Sequence, residues 1–311
     1  MLGQFSMSHP QAAILRQLTE YIVKATACAL NRLPYGGNPV GAWLAGAVPH
    51  RGPGGSEVSA GLNSAGMLKS NCSHWLLWNF EPDVDVDDPA TACSVLKAAD
   101  QVVAVTEFAN KRLYEVATVI LPLAPAAESE GTVHNFDGQV MNYEAAGRPT
   151  GDSRPGWKIL RRLGAELKLP DFNETLLAEV QAEMNSEIEK GLMAGVSGAE
   201  LKALEHAPAK DELWRIGDVP LYAVDGLCRR AGALQQTAQA DTDFAGFNPA
   251  DAEALGLRSG KSVTVQQGDG KAVLEARIMQ DVPVGAIWVK SATAATAGLG
   301  AAIGPLVVEA D

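Results

Sequence analysis

Cysteine is scarce and dispersed in this 311-residue chain, and aromatic residues make up only 6% of it. The four cysteines are Cys28, Cys72, Cys93 and Cys228, and none lies within four residues of another. Iron–sulfur clusters and structural zinc usually require closely spaced cysteines, so this spacing argues against both kinds of site. A chain of this length does not need disulfides for stability, which favours free thiols in a reducing compartment.

The chain also lacks an excess of basic residues and any long apolar run. It has 25 Lys and Arg residues against 37 Asp and Glu residues, a formal net charge of −12. Such a charge repels nucleic acids and anionic lipids, so neither is an expected partner. No apolar run approaches the ~20 residues that span a bilayer, and the N-terminal segment lacks the regions of a signal peptide. We therefore expect a soluble, cytoplasmic protein.

Short motifs for metal binding and nucleophilic catalysis are absent as well. No HxxxH or HxH spacing indicates a metal site, and neither a GxSxG elbow nor a GxxxxGK[ST] loop occurs. Gly298, Gly300 and Gly304 do not lie between a strand and a helix, which predicts a barrel loop rather than a dinucleotide-binding turn. The histidines occur singly, at His9, His50, His74, His134 and His206.

The first two thirds of the chain alternate between helix and strand patterns. Residues 8–29 read as a helix, with Ser8 and Pro10 in its first turn. A Gly- and Pro-rich loop follows over 30–72, with one short helix expected around 41–47. Strands separated by short helices predict a parallel sheet. The expected strands are 74–80, 101–108 and 117–124. The expected helices between them are 87–100 and 110–116, and the first of these has Asp88 as N-cap and Pro89 in its first position.

A hairpin and two further helices are predicted next. The segments around residues 131–135 and 139–145 alternate as strands on either side of Gly138. Pro155 starts a helix, and a second helix over 173–192 has Asn173 as its expected cap. Its apolar stripe is Leu176, Val180, Met184 and Ile188.

The pattern changes again near the C-terminal end of the chain. From Phe244 onward, short β-rich runs are separated by glycine turns, and QGDG between two of them indicates a hairpin. A short helix with Asn248 as cap closes at Gly256, and the whole segment reads as a small β-barrel. We predict an α/β domain over 1–205, an irregular linker over 206–243 and a barrel domain over 244–311.

Two stretches resemble a known family. ATVILPLAPAAESEGTVHNFDGQVMN (117–142) is similar to the pattern V-L-P followed by E-x-x-G-T-x-x-N-x-E-G-R-x-Q in the molybdopterin oxidoreductases of the formate dehydrogenase and DMSO reductase type. FNPADAEALGLRSGKSVTVQ (247–266) resembles the dinucleotide-binding double-psi barrel of the same family. The resemblance implies a Rossmann-like parallel-sheet domain followed by a small double-psi barrel.

Other segments resemble one branch, the large peripheral-arm iron–sulfur subunit of bacterial NADH:quinone oxidoreductase (respiratory complex I). They include NPVGAWLAGAVPHRG (38–52) and GDVPLYAVDGLCRRAGALQQT (217–237). The resemblance implies a parent enzyme that carries electrons from NADH through iron–sulfur clusters to quinone, on the cytoplasmic side of the inner membrane. The clusters would lie in an N-terminal part of the parent, outside this chain, which itself would hold no cofactor. Expected partners are that cluster-bearing region and other peripheral-arm subunits.

The chain departs from the family pattern where a pterin would bind. Asp137, Gln139 and Met141 stand at the pattern's Glu, Arg and Gln positions, which removes donors that phosphate and a pterin ring require. We therefore interpret the motif as a hairpin turn with no catalytic role. Its vestigial positions are Glu128, Gly131, Thr132, Asn135, Asp137 and Gly138.

The expected function is that of a non-catalytic scaffold within this large complex I subunit. The alternative is the C-terminal fragment of an active molybdopterin-dependent oxidoreductase, and a third, weaker hypothesis is a free-standing nucleotide-binding α/β protein. The long loop over 34–66, with Trp43 and Arg51, is the expected contact with a neighbouring part of the parent because long loops are often functional.

Overall fold

A computed structural model of the chain describes residues 2–3, 6, 9, 11–33, 36–86, 88–135, 137–194 and 212–310. Within these residues the strands form sheets of three, two and seven strands. Ser8, Pro10 and His206, which carried sequence predictions, lie outside the described residues. Among the described residues, no helix combines the length and apolar character that crossing a bilayer requires.

The N-terminal region is more helical than predicted. Helix α1 spans Ala12–Thr26, inside the predicted range, and none of its residues is buried. The long loop contains α2 (Pro39–Leu44) and α3 (Ser64–Lys69), as well as a 3-10 turn at Pro53–Gly55, where one short helix was predicted. The sequence prediction missed α3 because its six residues carry too little apolar periodicity to stand out among turn residues.

The parallel sheet is confirmed. Strands β1 (His74–Trp78), β2 (Gln101–Thr106) and β3 (Val119–Pro122) lie side by side in that order and are all parallel. Helices α4 (Pro89–Ala98) and α5 (Lys111–Val116) connect them. Asp88 caps α4, as predicted, by accepting a hydrogen bond of 3.0 Å from the amide of Thr91. The core on the helix-covered side of the sheet includes Trp75, Leu77, Leu96, Val102 and Leu113.

The predicted hairpin and the helices after it are also present. Strands β4 (Gly131–His134) and β5 (Val140–Tyr143) are antiparallel, and α6 (Gly156–Glu166) and α7 (Leu177–Ala194) follow. The prediction of Asn173 as the cap of the second helix is wrong. The carboxylate of Glu179 instead accepts hydrogen bonds from the amides of Thr175 (2.7 Å) and Leu176 (3.0 Å), so that the helix begins at Leu177.

Two glycines, Gly54 and Gly191, allow the long loop to pack closely against α7. A Cβ added to Gly191 would lie 1.9 Å from the carbonyl oxygen of Pro53, and one added to Gly54 would lie 2.2 Å from the carbonyl oxygen of Ile188. Gly54 also has a φ of +63°, which side-chain-bearing residues rarely adopt. The segment predicted to dock on a neighbour therefore packs, at this point, against a helix of its own chain.

The C-terminal region forms the seven-stranded sheet. Its strands run in the order β11-β6-β10-β7-β9-β8-β12. The predicted cap Asn248, the closing Gly256 and the QGDG hairpin are confirmed. Three short helices accompany the strands: α8 (Gly226–Arg230), α9 (Gly232–Gln235) and α10 (Pro249–Ala254). The strands are β6 (Trp214–Ile216), β7 (Phe244–Phe247), β8 (Ser262–Gln267), β9 (Gly270–Ile278), β10 (Ala286–Val289), β11 (Ile303–Pro305) and β12 (Val307–Ala310).

This sheet curls into a nearly closed barrel. Strands β11 and β12 lie at opposite edges of the strand order, yet only Leu306 separates them along the chain. The two edges must therefore come together, and the amide of Leu306 donates a 2.9 Å hydrogen bond to the carbonyl of Leu213, just before β6. Strand β6 belongs to this barrel although it falls in the segment that the sequence analysis described as irregular. The division of the chain at 206–243 stays a prediction.

Candidate functional site

A cleft lies between the parallel sheet and the barrel. Parallel α/β sheets bind ligands beyond the carboxyl ends of their strands. At that edge, two adjoining hollows of about 460 and 520 Å³ share Asp83, Val84 and Arg229 in their walls. Helix α8 and the loop around Ala292 supply the opposite wall. We take this cleft as the candidate functional site because it lies at the edge where parallel sheets bind ligands.

Asn79 joins the ends of the first two strands, two residues before Glu81, which lines the cleft. It follows β1 directly and has a φ of +47°, a conformation that asparagine tolerates better than most residues. Its side-chain oxygen accepts a 3.3 Å hydrogen bond from the amide of Glu107, and its amide group donates to the Glu107 carboxylate at 3.3 Å. These bonds fix the direction in which the chain leaves β1 toward Glu81.

Glu81 is the centre of a buried ionic cluster. The residue is 6% exposed, and its carboxylate accepts hydrogen bonds from two adjacent arginines of α8. Arg229 donates to Oε1 at 3.0 Å, while Arg230 donates to both oxygens at 2.9 Å. Asn110, the N-cap of α5, donates to Oε2 at 3.0 Å. One carboxylate thus binds donors from α8 and from the turn after β2.

The two arginines have further partners around the cluster. Arg229 also pairs with Asp85 and donates to the carbonyl of Ala223 at 3.0 Å. The guanidinium of Arg230 lies 4.6 Å from the ring centre of Phe108, a cation–π distance. A Cβ on Gly226 would come within 3.1 Å of Glu81 Oε1, so a glycine here permits α8 to approach the sheet closely.

The cleft has more negative than positive groups in its walls. Near Asp225, which lines one of the hollows, burial raises the pKa of the Glu107 carboxyl, and the negative charge of Asp225 raises it further. Burial likewise raises the pKa of the Cys228 thiol, again with a contribution from Asp225. Glu81 differs: burial acts to raise its pKa, but the hydrogen bonds and charges of Arg230 and Arg229 hold it below its ordinary value. The charged groups that line the two hollows are Glu81, Asp83, Asp85, Asp225, Asp243, Arg215, Arg229 and Arg230.

The residues of the sequence motif lie elsewhere, on and beside the β4–β5 hairpin, and none of them lines these hollows. Glu128 accepts hydrogen bonds from the amide (2.9 Å) and hydroxyl (3.0 Å) of Thr150. Thr132 donates to Asn142 at 2.9 Å and accepts from Gln181 at 2.8 Å. Gly131 begins β4, and a Cβ there would meet the hydroxyl of Tyr143 at 2.5 Å. Each of these residues is engaged in local structure.

The turn of the hairpin depends on Asn135 rather than on Asp137. The side-chain oxygen of Asn135 accepts hydrogen bonds from the amides of Asp137 (3.0 Å) and Gln139 (2.8 Å). Gly138 has a φ of +81°, as the turn requires. Asp137 is exposed, and among the described residues its carboxylate makes no hydrogen bond.

We expect Asn135→Ala to lower the free energy of unfolding by about 1 kcal/mol, because two turn amides lose their acceptor. Asp137→Asn is the matched control and should leave stability within about 0.5 kcal/mol, since this side chain supports no bond in the turn. Urea denaturation followed by circular dichroism measures both. A greater loss for Asp137→Asn than for Asn135→Ala would contradict this account of the turn.

Sequence reasoning did not identify the cluster at Glu81. One signal was available: acidic and amide side chains directly after predicted parallel strands are expected at a ligand-binding edge. The arginine pair gave no comparable signal, because Arg229 follows Glu81 by 148 residues and nothing in either local pattern indicates the contact.

No group of three or more His, Cys, Asp or Glu side chains could hold a metal ion in the part of the chain that the structure describes. The four cysteines are free, and Cys28 is exposed. His134, at the end of β4, is buried, and its backbone amide donates to Asn38 at 2.8 Å.

Comparison with known proteins defines the class. The family description "Molybdopterin oxidoreductase" matches residues 11–166, and "Molydopterin dinucleotide binding domain" matches residues 227–308. The first match includes the parallel sheet and the hairpin, and the second includes most of the barrel. The chain belongs to the molybdopterin oxidoreductase family, which confirms the predicted fold class.

Individual relatives refine this picture. The chain is 26% identical over 220 residues to the F420-dependent formate dehydrogenase 2 subunit alpha of Methanococcus maripaludis, covering 56% of this chain and 32% of that protein. Acetylene hydratase from Pelobacter acetylenicus has a similar structure, with a TM-score of 0.61 at 14% identity over 88% of this chain and 50% of that one. The chain therefore spans about a third or less of the curated relatives' length.

The cleft does not fit the dinucleotide form of a pterin cofactor as its side chains stand. Such a cofactor carries a negatively charged diphosphate, whereas the walls hold five carboxylates and three guanidinium groups. Arg229 and Arg230 already bind carboxylates of the chain, and Arg215 donates to carbonyl oxygens of the barrel. A diphosphate in this position would have to displace Glu81 from both arginines.

Proposed function

We propose that this chain is a non-catalytic, structural part of a larger redox protein of the molybdopterin oxidoreductase family. The observation that supports the proposal is the ionic cluster at Glu81, because an anionic cofactor in the cleft would have to compete with this carboxylate for Arg229 and Arg230. In this role the chain joins a parallel-sheet part to a barrel part and presents surfaces to the remainder of the protein.

We further propose that the larger protein is the large peripheral-arm iron–sulfur subunit of a bacterial NADH:quinone oxidoreductase, located peripherally on the cytoplasmic side of the membrane. The segments over 38–52 and 217–237 support this branch by their resemblance. The proposed partners are a cluster-bearing N-terminal region of the same subunit and other peripheral-arm subunits. The chain itself would hold no iron–sulfur cluster, pterin or metal.

A second candidate is part of an active molybdopterin-dependent oxidoreductase. The comparisons favour this candidate over the first, because the curated relatives that match the chain are named as formate dehydrogenases. Its difficulty is the acid-rich cleft, which would need other donors for the cofactor's phosphates.

Purification of the tagged full-length protein from the organism that encodes it, under anoxic conditions, distinguishes the two. We expect iron but no stoichiometric molybdenum, tungsten or pterin, and no formate-dependent dye reduction, because the chain's own arginines are bound to carboxylates. We also expect other NADH dehydrogenase subunits to copurify. Elemental analysis that found one molybdenum or tungsten per protein, together with a fluorescent oxidised pterin, would establish the second candidate.

A further inference from the structure

The arrangement around Glu81 has the stereochemistry of an anion-binding site. Two guanidinium groups and an amide converge on the two oxygens of one buried carboxylate, with four donor–acceptor distances between 2.9 and 3.0 Å. Arg230 binds both oxygens in the bidentate geometry that arginine also uses toward phosphate. The site lies beyond the carboxyl ends of β1 and β2, where parallel sheets place anionic ligands.

The carboxylate and the donors come from distant parts of the chain. Glu81 follows β1, Asn110 precedes α5, and the arginines end α8, 148 and 149 residues after Glu81. A second carboxylate, Asp85, forms an ion pair with Arg229 and also accepts a 2.7 Å hydrogen bond from the backbone amide of Glu81. The position of Glu81 is thereby fixed from both its backbone and its side chain.

We propose that Glu81 is a built-in anionic ligand: Arg229, Arg230 and Asn110 form an anion-binding site that the chain fills with its own carboxylate, which couples the parallel sheet to α8 without an external ligand. The site would take a small dianion, such as a phosphate or diphosphate group, once the carboxylate is removed. Such a site is compatible with the proposed structural role and involves only the described residues of this chain.

Physical chemistry explains why the site is closed in the unmodified chain. Without Glu81, Arg230 would lose its carboxylate and Arg229 would keep only Asp85, which is less favourable than keeping a buried carboxylate that is paired and fully hydrogen-bonded. Because Glu81 is tethered at the site, a free anion competes against a high effective concentration of carboxylate. External phosphate should therefore bind the unmodified chain poorly, whatever its intrinsic affinity for the two arginines.

The test removes the internal ligand and supplies an external one. Glu81→Ala should lower the midpoint of thermal unfolding of the 311-residue chain. Sodium pyrophosphate should then raise that midpoint by ~2 °C at ten times its dissociation constant. The unmodified chain should shift by less than ~1 °C under the same conditions. Sodium chloride at matched ionic strength supplies the baseline, because it screens charges equally without bridging two arginines.

Two further variants assign any shift to this site. Glu81→Ala combined with Arg230→Ala should lose the response to pyrophosphate, and Asp137→Asn, which removes an exposed carboxylate, should behave as the unmodified chain. Isothermal titration should show at least tenfold tighter pyrophosphate binding to Glu81→Ala than to the unmodified chain. If Glu81→Ala does not fold, Glu81→Ser, whose short side chain also leaves the site open, serves in the same assay.

Three results would contradict the inference. Equal pyrophosphate responses of the unmodified chain and Glu81→Ala would overturn the inference, as would the absence of any response in both Glu81 variants or a response that survives the Arg230 change. None of these measurements depends on the metal or pterin content of a larger protein. The proposed function and this inference can therefore fail independently.

Discussion

Arg215→Met is expected to lower the free energy of unfolding by about 3 to 5 kcal/mol, because several buried carbonyls would lose a charged donor. Arg215 is 1% exposed and lies on β6. Its guanidinium donates to the carbonyls of Gly300 (2.8 Å), Lys290 (2.8 Å) and Val289 (3.2 Å). It also donates to the side chain of Gln267, at the end of β8, at 3.2 Å. One side chain therefore connects four segments of the barrel.

Arg277→Met is the matched control for this experiment. Arg277 is also a barrel arginine, pairs with Asp241 at 2.7 Å and lies over the ring of Phe244, but its side chain is 31% exposed. Exposed pairs contribute about 1 kcal/mol or less, so Arg277→Met should cost far less than Arg215→Met. Urea unfolding followed by circular dichroism and by tryptophan fluorescence measures both variants. Equal losses for the two arginines would contradict the structural role of Arg215.

Gly191→Ala is expected to destabilise the chain by about 2 kcal/mol, although alanine is the better helix former. The new methyl group would lie 1.9 Å from the carbonyl oxygen of Pro53 and 2.9 Å from the Cα of Gly54, so backbone must move on one side of the contact. Hydrogen exchange should show faster exchange in the loop that contains residues 53–55, which Gly191 holds close to α7.

The sign of this effect is the decisive measurement. Helix propensity alone predicts a gain of about 1 kcal/mol for Gly191→Ala, because glycine loses the most backbone entropy on folding. Glu189→Ala, at an exposed position of the same helix, is the control and should change stability by about 0.5 kcal/mol or less. A stabilising Gly191→Ala change would show that the close approach of the loop to α7 is not required.

Local signals in the sequence predicted local structure well. The caps at Asp88 and Asn248 and the turn at Gly138 depend on residues within a few positions of one another, and all three are found. Asn173 is not the cap because a competing acceptor, the carboxylate of Glu179, accepts a hydrogen bond from the amide of Thr175 at the start of the helix. The sequence pattern indicated only Asn173, because the reach of the Glu179 side chain back to residues 175 and 176 depends on where the helix begins.

The candidate site could not be predicted because its contacts join distant parts of the chain. Nothing near Glu81 indicates that its partners are Arg229 and Arg230, and nothing near Arg215 indicates a barrel interior. The resemblance to a cofactor-binding family directed attention to Glu128 and Asp137, which the structure places on and beside a hairpin. Only the three-dimensional arrangement shows the ionic cluster at the strand ends.

The strand order of the barrel also determines when the barrel can close during synthesis. Strand β12 pairs with β8, some forty residues earlier, and it is the last of the seven strands to leave the ribosome. Until residues 307–310 emerge, β8 has an unpaired edge that can add a strand from another chain. Barrel closure therefore has to wait for β12, and a nascent chain stalled before Leu306 would be a substrate for chaperones rather than for assembly.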